Sequence, residues 1–213
     1  MNFTIREATE EDLPDILSIY SYYVENTNYS FEYITPSAEV FLARYRNTTS
    51  QFPWLVAVKG KRIVGYAYGS KAFERAAYSW DADVTVYLDP EAHGRGFAAA
   101  LYRALIPALA AQGYYKLYAL ITDVNHKSLA FHRKVGFRET GHLRDSGFKN
   151  GKWVGVIWTE MTMRSAEGIP SPVRSFSSLP KEDVELWLRN AVSEDVISES
   201  FGNIISSSEK VGG

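Results

Sequence analysis

The chain has 213 residues, 46% hydrophobic and 23% charged, a balance that supports a buried core in one domain with an extension. A net charge of −2 without a long basic run argues against a nucleic-acid surface, and no apolar stretch approaches the length of a bilayer span. With no cysteine, disulfides, thiolate metal sites and cysteine nucleophiles are excluded, and four scattered histidines give a metal site no support. The N-terminus lacks a basic-then-apolar secretory pattern, which points to a cytoplasmic protein.

Phe3 to Arg6 reads as a short strand. Thr9 offers an N-cap, with acids in the first turn, for a helix whose apolar face is Leu13, Ile16, Leu17, Tyr20, Tyr23 and Val24. A second helix is expected to begin at Thr35-Pro36, with Pro36 at its first position. Trp54 to Val58 and Ile63 to Gly69 are β-rich runs joined by the hairpin signal Lys59-Gly60-Lys61-Arg62. Ala82 to Leu88 is a further strand, ended by Asp89-Pro90. A glycine-rich turn leads to a helix that runs to about Gln112, kinked at Pro107 and stopped by Gly113. Tyr115 to Ile121 is a strand, Ser128 to Val135 a helix, and strands follow near Phe137 to Leu143 and Val154 to Met163. This order predicts an α/β (α+β) fold, one mixed sheet with helices on both sides. After Arg164 the chain turns Pro- and Ser-rich, so residues 1–164 read as the domain and 165–213 as an extension with one short helix over 180–192. That helix either docks on its own domain or offers Trp187 to a partner, and the Ser-rich end reads as disordered.

The most informative segment is strand–turn–helix, from Val84 through Leu88, Asp89-Pro90 and His93-Gly94-Arg95-Gly96-Phe97-Ala98. Gly94 and Gly96 allow a sharp turn that brings amide N–H groups close to a ligand, and the helix start adds unpaired N–H groups and a positive dipole end. Such a turn suits a pyrophosphate, with Arg95 adding charge at its rim. It lacks the three-glycine spacing of a dinucleotide fold and the Gly-Lys-Ser/Thr of a P-loop. Two glycines alone would better describe a flexible helix entry.

Downstream stands Asn125-His126-Lys127-Ser128, followed by His132 and Gly136-Phe137. Together the two segments resemble the GNAT superfamily of acyl-CoA-dependent N-acetyltransferases. The first signature is matched at Gly96 and Ala98, with His93 where Arg or Gln is usual. The second is matched at Asn125, Ser128, Gly136 and Phe137, with His132 where tyrosine is usual. Pro53 to Ala57, Ala76-Tyr78-Trp80, Thr85-Val86-Tyr87 and Gly147 to Trp153 look like the phosphinothricin/methionine sulfoximine N-acetyltransferase branch, which also carries histidine at the position of His132.

The resemblance implies a mostly antiparallel, twisted sheet of about six to seven strands flanked by about four helices. It implies acetyl-CoA as co-substrate, no metal, a small amino-acid-like amine as acceptor and a homodimer. Backbone groups of Val86 and Leu88 would hold the pantetheine arm, residues His93, Gly94, Arg95, Gly96, Phe97 and Ala98 the phosphates, and Asn125 and Ser128 either part. Asp83, where the branch usually carries Glu, is the candidate base; a strand-end carboxylate paired with Lys or Arg is the alternative. His132 is the candidate acid for the departing thiolate, or it orients substrate or water; the alternative is a helix histidine holding a backbone carbonyl. Lys71 and Arg75 would meet the acceptor's anionic groups, and Phe31, Tyr78 and Trp80 would wall its pocket, unless they are ordinary surface and core residues. A non-catalytic acyl-CoA sensor, a partner-binding protein and a peptide N-acetyltransferase are the competing functions. The presence of both Asp83 and His132 argues against a sensor.

Overall fold

The computed structural model describes residues 3–193, so the Ser-rich end lies outside the described residues. β1 (Thr4–Glu7), β2 (Trp54–Lys59), β3 (Arg62–Lys71) and β4 (Asp81–Leu88) form successive antiparallel neighbours. β5 (Lys116–Thr122) joins β4 in parallel, and β7 (Lys152–Thr162) and β6 (Arg138–Lys149) complete a seven-stranded sheet in the order β1-β2-β3-β4-β5-β7-β6. The sheet is mostly antiparallel, as the resemblance implies.

Two helices, α1 (Leu13–Asn26) and α2 (Ala38–Thr49), cover one face of the sheet. Their apolar sides meet Trp54, Val56 and Tyr66, with Tyr20 and Tyr87 packed alongside. α2 starts later than the proline signal predicts. Ser37 is its N-cap, accepting the Val40 amide, so Pro36 falls outside the helix.

The other face is covered by α3 (Phe97–Gln112), which runs unbroken through Pro107. Ala82, Val84 and Leu88 of β4 pack against Leu101, Leu105 and Leu109 of α3 in the main core. α3 is buried almost all round because α5 (Lys181–Asn190) and the segment before it cover its outer side. Phe176, Leu179 and Val184 are buried against Ala108, with Trp187 and Leu188 packed at the edge. Each such side chain stabilises by about 1.5–3 kcal/mol. The extension's helix therefore docks on its own domain. Polar ties reinforce it: Gln112 donates to Gln51 O at 2.7 Å and to Arg174 O at 2.8 Å, and Trp80 Nε1 donates to Ser171 O at 2.7 Å.

α4 (His126–Val135) follows β5 and begins two residues before the predicted Ser128. Asn125 caps it, its Oδ1 accepting the Ser128 amide at 3.2 Å. β6 extends well past Leu143. Residues 138–146 are exposed along the edge of the sheet, so they show no apolar alternation from which a strand could be read. The far end of the β6–β7 hairpin reaches back over the loop between α1 and α2. Lys149 is buried there, donating to Val24 O at 2.6 Å and Ser30 O at 2.7 Å.

Candidate active site

β4 and β5 pair only over Asp81–Asp83 against Lys116–Tyr118 and then part. A cleft of about 1290 Å³ opens in the fork, walled by β4, the 93–96 turn, α3, β5 and α4. The ladder on the other side of β4 fixes which groups face it. Asp89 N–H donates to Val64 O at 3.0 Å, so in this register the backbone groups of Asp83, Thr85 and Tyr87 point to β3. Those of Val84, Val86 and Leu88 point into the fork, where no strand pairs with residues 84–88. An extended amide-bearing ligand can take the place of the missing strand.

Past β4, Gly94 and Gly96 take φ of 74° and 82°, the left-handed region that L side chains resist. A Cβ on either would meet nothing within 4 Å, so it is the turn itself, opening onto the cleft, that calls for glycine. Gly96 is the N-cap of α3, which leaves first-turn N–H groups directed at the cleft mouth. His93, Gly94, Arg95, Gly96 and Ala98 line the cleft, as do Asn125 and Ser128 across it. Phe97 does not: its ring is buried and packs edge-on against Phe3 at 4.8 Å.

Asp83 sits at the crotch of the fork and lines the cleft. Among the described residues its buried Oδ1 has no hydrogen-bond partner, and burial pushes its carboxyl up to about 7 against the weaker pull of the Val84 amide. A carboxylate so placed is half ionised near neutral pH and can take a proton. Among the described residues it forms no salt bridge, so they do not supply the strand-end ion pair. Ser70 lies directly opposite Asp83 on β3 and borders a smaller hollow of about 220 Å³ with Tyr20, Arg44 and Tyr68.

His132 lines the opposite wall but is only 3% exposed. Its Nδ1 lies 2.8 Å from Ser128 O, an acceptor, so Nδ1 carries the proton and Nε2 accepts from Tyr102 O–H at 2.9 Å. Burial pushes its pKa down to about 4, and the imidazole is neutral in neutral solution. The group thus holds a backbone carbonyl on α4 and the Tyr102 phenol on α3, binding the two walls together. Burial keeps the Tyr102 phenol well above its ordinary pKa, so it stays protonated as the donor.

At the cleft mouth Tyr23 reaches from α1 to β4. Its hydroxyl donates to Leu88 O at 2.5 Å, so His93 Nε2–H, 2.8 Å away, donates to Tyr23. The Leu88 carbonyl is therefore taken within the protein, which leaves its N–H for a ligand.

The five expected acceptor residues stand outside the lining of this cleft. Phe31 lies on Gly147, where an added Cβ would come within 2.4 Å of its ring. Lys71 pairs with Glu74 at 2.9 Å, and Arg75 precedes a short helical turn. Tyr78 packs on Phe73 at 4.6 Å, within an aromatic group that includes Tyr118 and Trp158. Trp80 ties down the extension. Sequence reading missed Tyr23, Tyr102 and Lys149. The first two meet their histidines 70 and 30 residues away, contacts that leave no local pattern. Lys149 did stand in the Gly147–Trp153 segment that resembles the branch.

Among the described residues no cluster of His, Cys, Asp or Glu could hold a metal, and no helix is long and apolar enough to cross a membrane. An acetyltransferase (GNAT) domain family model matches residues 5–158. The phosphinothricin N-acetyltransferase of Streptomyces coelicolor is 32% identical over 170 residues, covering 73% of this chain and 94% of that protein. The L-methionine sulfoximine/L-methionine sulfone acetyltransferase of Pseudomonas aeruginosa is 30% identical, covering 80% and 100%. Among solved structures, a GNAT superfamily phosphinothricin acetyltransferase from Sinorhizobium meliloti in complex with AcCoA superposes with a TM-score of 0.77 at 31% identity, covering 80% of this chain and 94% of that one. The forked strands, the glycine turn at the head of α3 and these similarities agree, and the chain belongs to the GNAT acetyltransferase family.

Proposed function

We propose that this enzyme transfers the acetyl group of acetyl-CoA to the amine of a small amino-acid-like acceptor of the phosphinothricin or methionine sulfoximine and sulfone type. The amine attacks the thioester carbonyl directly in a ternary complex, because a chain without cysteine cannot form a thioester of its own. The observation that carries the reading is Asp83, a buried carboxylate with an unpartnered oxygen and a pKa near 7, placed where β4 leaves β5. It takes the proton the attacking amine must lose, directly or through a water. The N–H groups of Val86 and Leu88 hold the pantetheine arm, and the 93–98 backbone, with Arg95 at the rim, holds the pyrophosphate. Asn125 and Ser128 border the arm from α4. His132, neutral and bonded on both nitrogens, is a positioning residue that keeps α3 and α4 at their spacing around the thioester. Lys71, Arg75, Phe31, Tyr78 and Trp80 lie outside the cleft lining and are assigned to the acceptor on the family resemblance alone.

Thiol release from acetyl-CoA with phosphinothricin, methionine sulfoximine, methionine sulfone and ordinary amino acids as acceptors tests the substrate class. Activity on none of the first three removes it. Asp83→Asn should lower turnover by roughly 10²–10⁴-fold and abolish the rise of kcat/KM through pH 7, with acetyl-CoA affinity retained. Wild-type turnover in that variant would take Asp83 out of the mechanism.

The enzyme further works as a homodimer that covers β6, the exposed edge strand carrying the half-exposed Leu143. Sedimentation should give twice the chain mass, and Leu143→Asp should shift it toward the monomer. A wild-type monomer at micromolar concentration would overturn this.

A further inference from the structure

The His93 side chain occupies a singular position among the groups that face the phosphate turn. In the GNAT signature its place is held by arginine, always charged, or glutamine, never charged. Histidine alone of the three can change its charge on binding. In the free protein its Nε2–H is committed to the Tyr23 hydroxyl at 2.8 Å, and that hydroxyl is committed to Leu88 O at 2.5 Å. Nδ1 is left as the basic nitrogen, and among the described residues no hydrogen-bond partner of it is found. Adding a proton there breaks no bond: Nε2–H still donates to Tyr23, and Tyr23 still donates to Leu88. The proton creates one new charged donor on a side chain that lines the cleft together with Gly94 and Gly96.

The surroundings keep this site neutral until a ligand arrives. Burial is the larger cause and the positive charge of Lys127 on α4 the next; both lower the His93 pKa, while Asp89 at the end of β4 opposes them. Asp89 is itself paired with Arg62 of β3 at 3.1 Å. The turn adds Glu91 and Arg95, and α1 faces the ring with Tyr23, which packs edge-on against Tyr22 and tilted near Tyr29. Among the described residues no carboxylate is hydrogen-bonded to His93. A pyrophosphate in the turn brings two negative charges into this setting at once.

We propose that His93 is a proton-coupled ligand of the acyl donor's pyrophosphate: it is neutral in the free enzyme and becomes an imidazolium as acetyl-CoA binds. The inference rests on the assignment of the cleft to acetyl-CoA and adds a titrating ligand to it. Loading then takes up a proton, and affinity rises as pH falls. The window runs from the free-state pKa, below the ordinary histidine value, up to the raised pKa of the complex; below it the dependence flattens because both states are protonated.

Titration calorimetry of acetyl-CoA into the full-length enzyme, in buffers of unlike ionisation heat at pH 7.5, reads the proton directly. Wild type should take up roughly half to one proton per site more than His93→Gln, and its Kd should fall about three- to tenfold per pH unit between pH 8.5 and 7.5. Subtracting the variant removes any titration of the ligand's own phosphates. Nitrogen NMR of the imidazoles supplies a second readout that needs no variant. One of the four histidines should pass from the neutral Nε2–H pattern to the imidazolium pattern on saturation. Equal proton uptake in wild type and His93→Gln, or no histidine changing its ionisation on saturation, overturns the proposal and leaves the acetyl-CoA site standing. No binding heat in either protein at millimolar acetyl-CoA overturns the site itself.

Discussion

At Asp83 reactivity and stability pull in opposite directions. The folded chain holds this carboxyl near pH 7, whereas the unfolded chain releases its proton near pH 4. Folding therefore binds a proton between those values, and the stability present below pH 4 is lost as pH rises through 7. Asp83→Asn removes the ionisation, so its thermal advantage over wild type should be small at pH 4, grow across that window and level off at pH 8, on the order of 3–4 kcal/mol. Melting curves at three pH values measure it, and an increment that does not vary with pH would contradict the buried-charge account. The motif around Gly94 and Gly96 made this residue legible, because it fixes which strand feeds the phosphate turn. His132 was legible as a position and not as a role. Whether a histidine donates, accepts or titrates depends on what faces each nitrogen, and Tyr102 is brought there only by the packing of α3 on α4.

Helices and strands were readable wherever one face is buried and the other wet. α1 carries that contrast; β2 and β3, buried on both faces, carry instead an apolar run bounded by turn residues, and α3, buried almost all round, carries a glycine at each end. β6 carries no such mark, since a strand exposed along the sheet edge has no buried face to mark its length. Its far end matters nonetheless. Lys149 closes the carbonyls at the end of α1 and in the loop that carries Phe31, and Asn150 adds a bond to Asn28 at 2.8 Å. Burial lowers the Lys149 pKa, so its ammonium is held by those two carbonyls at a cost in solvation. Lys149→Met should destabilise the fold by about 1.5–3 kcal/mol and raise the KM for acetyl-CoA more than that for the amine, since Thr27 and Tyr29 of that loop line the cleft. Steady-state kinetics with each substrate varied in turn would show it. Equal effects on both KM values would mean the clasp serves the fold alone.

On the scale of the whole molecule the strand order was beyond the sequence, because no local pattern states that β7 lies between β5 and β6. The extension was legible as a change in composition but not as part of the core, where Phe176, Leu179 and Val184 cover α3. Removing residues 165–213 should lower Tm by roughly 6–12 °C, for a net loss of about 3 kcal/mol. An unchanged melt would assign α5 to an outside partner. The sheet itself is two antiparallel halves, β1 to β4 and β5 to β7, joined by a parallel seam of Asp81–Asp83 against Lys116–Tyr118. Such a seam works like the rivet of a pair of opened scissors: it fixes Asp83 at the point where the blades part and leaves residues 84–88 unpaired beyond it.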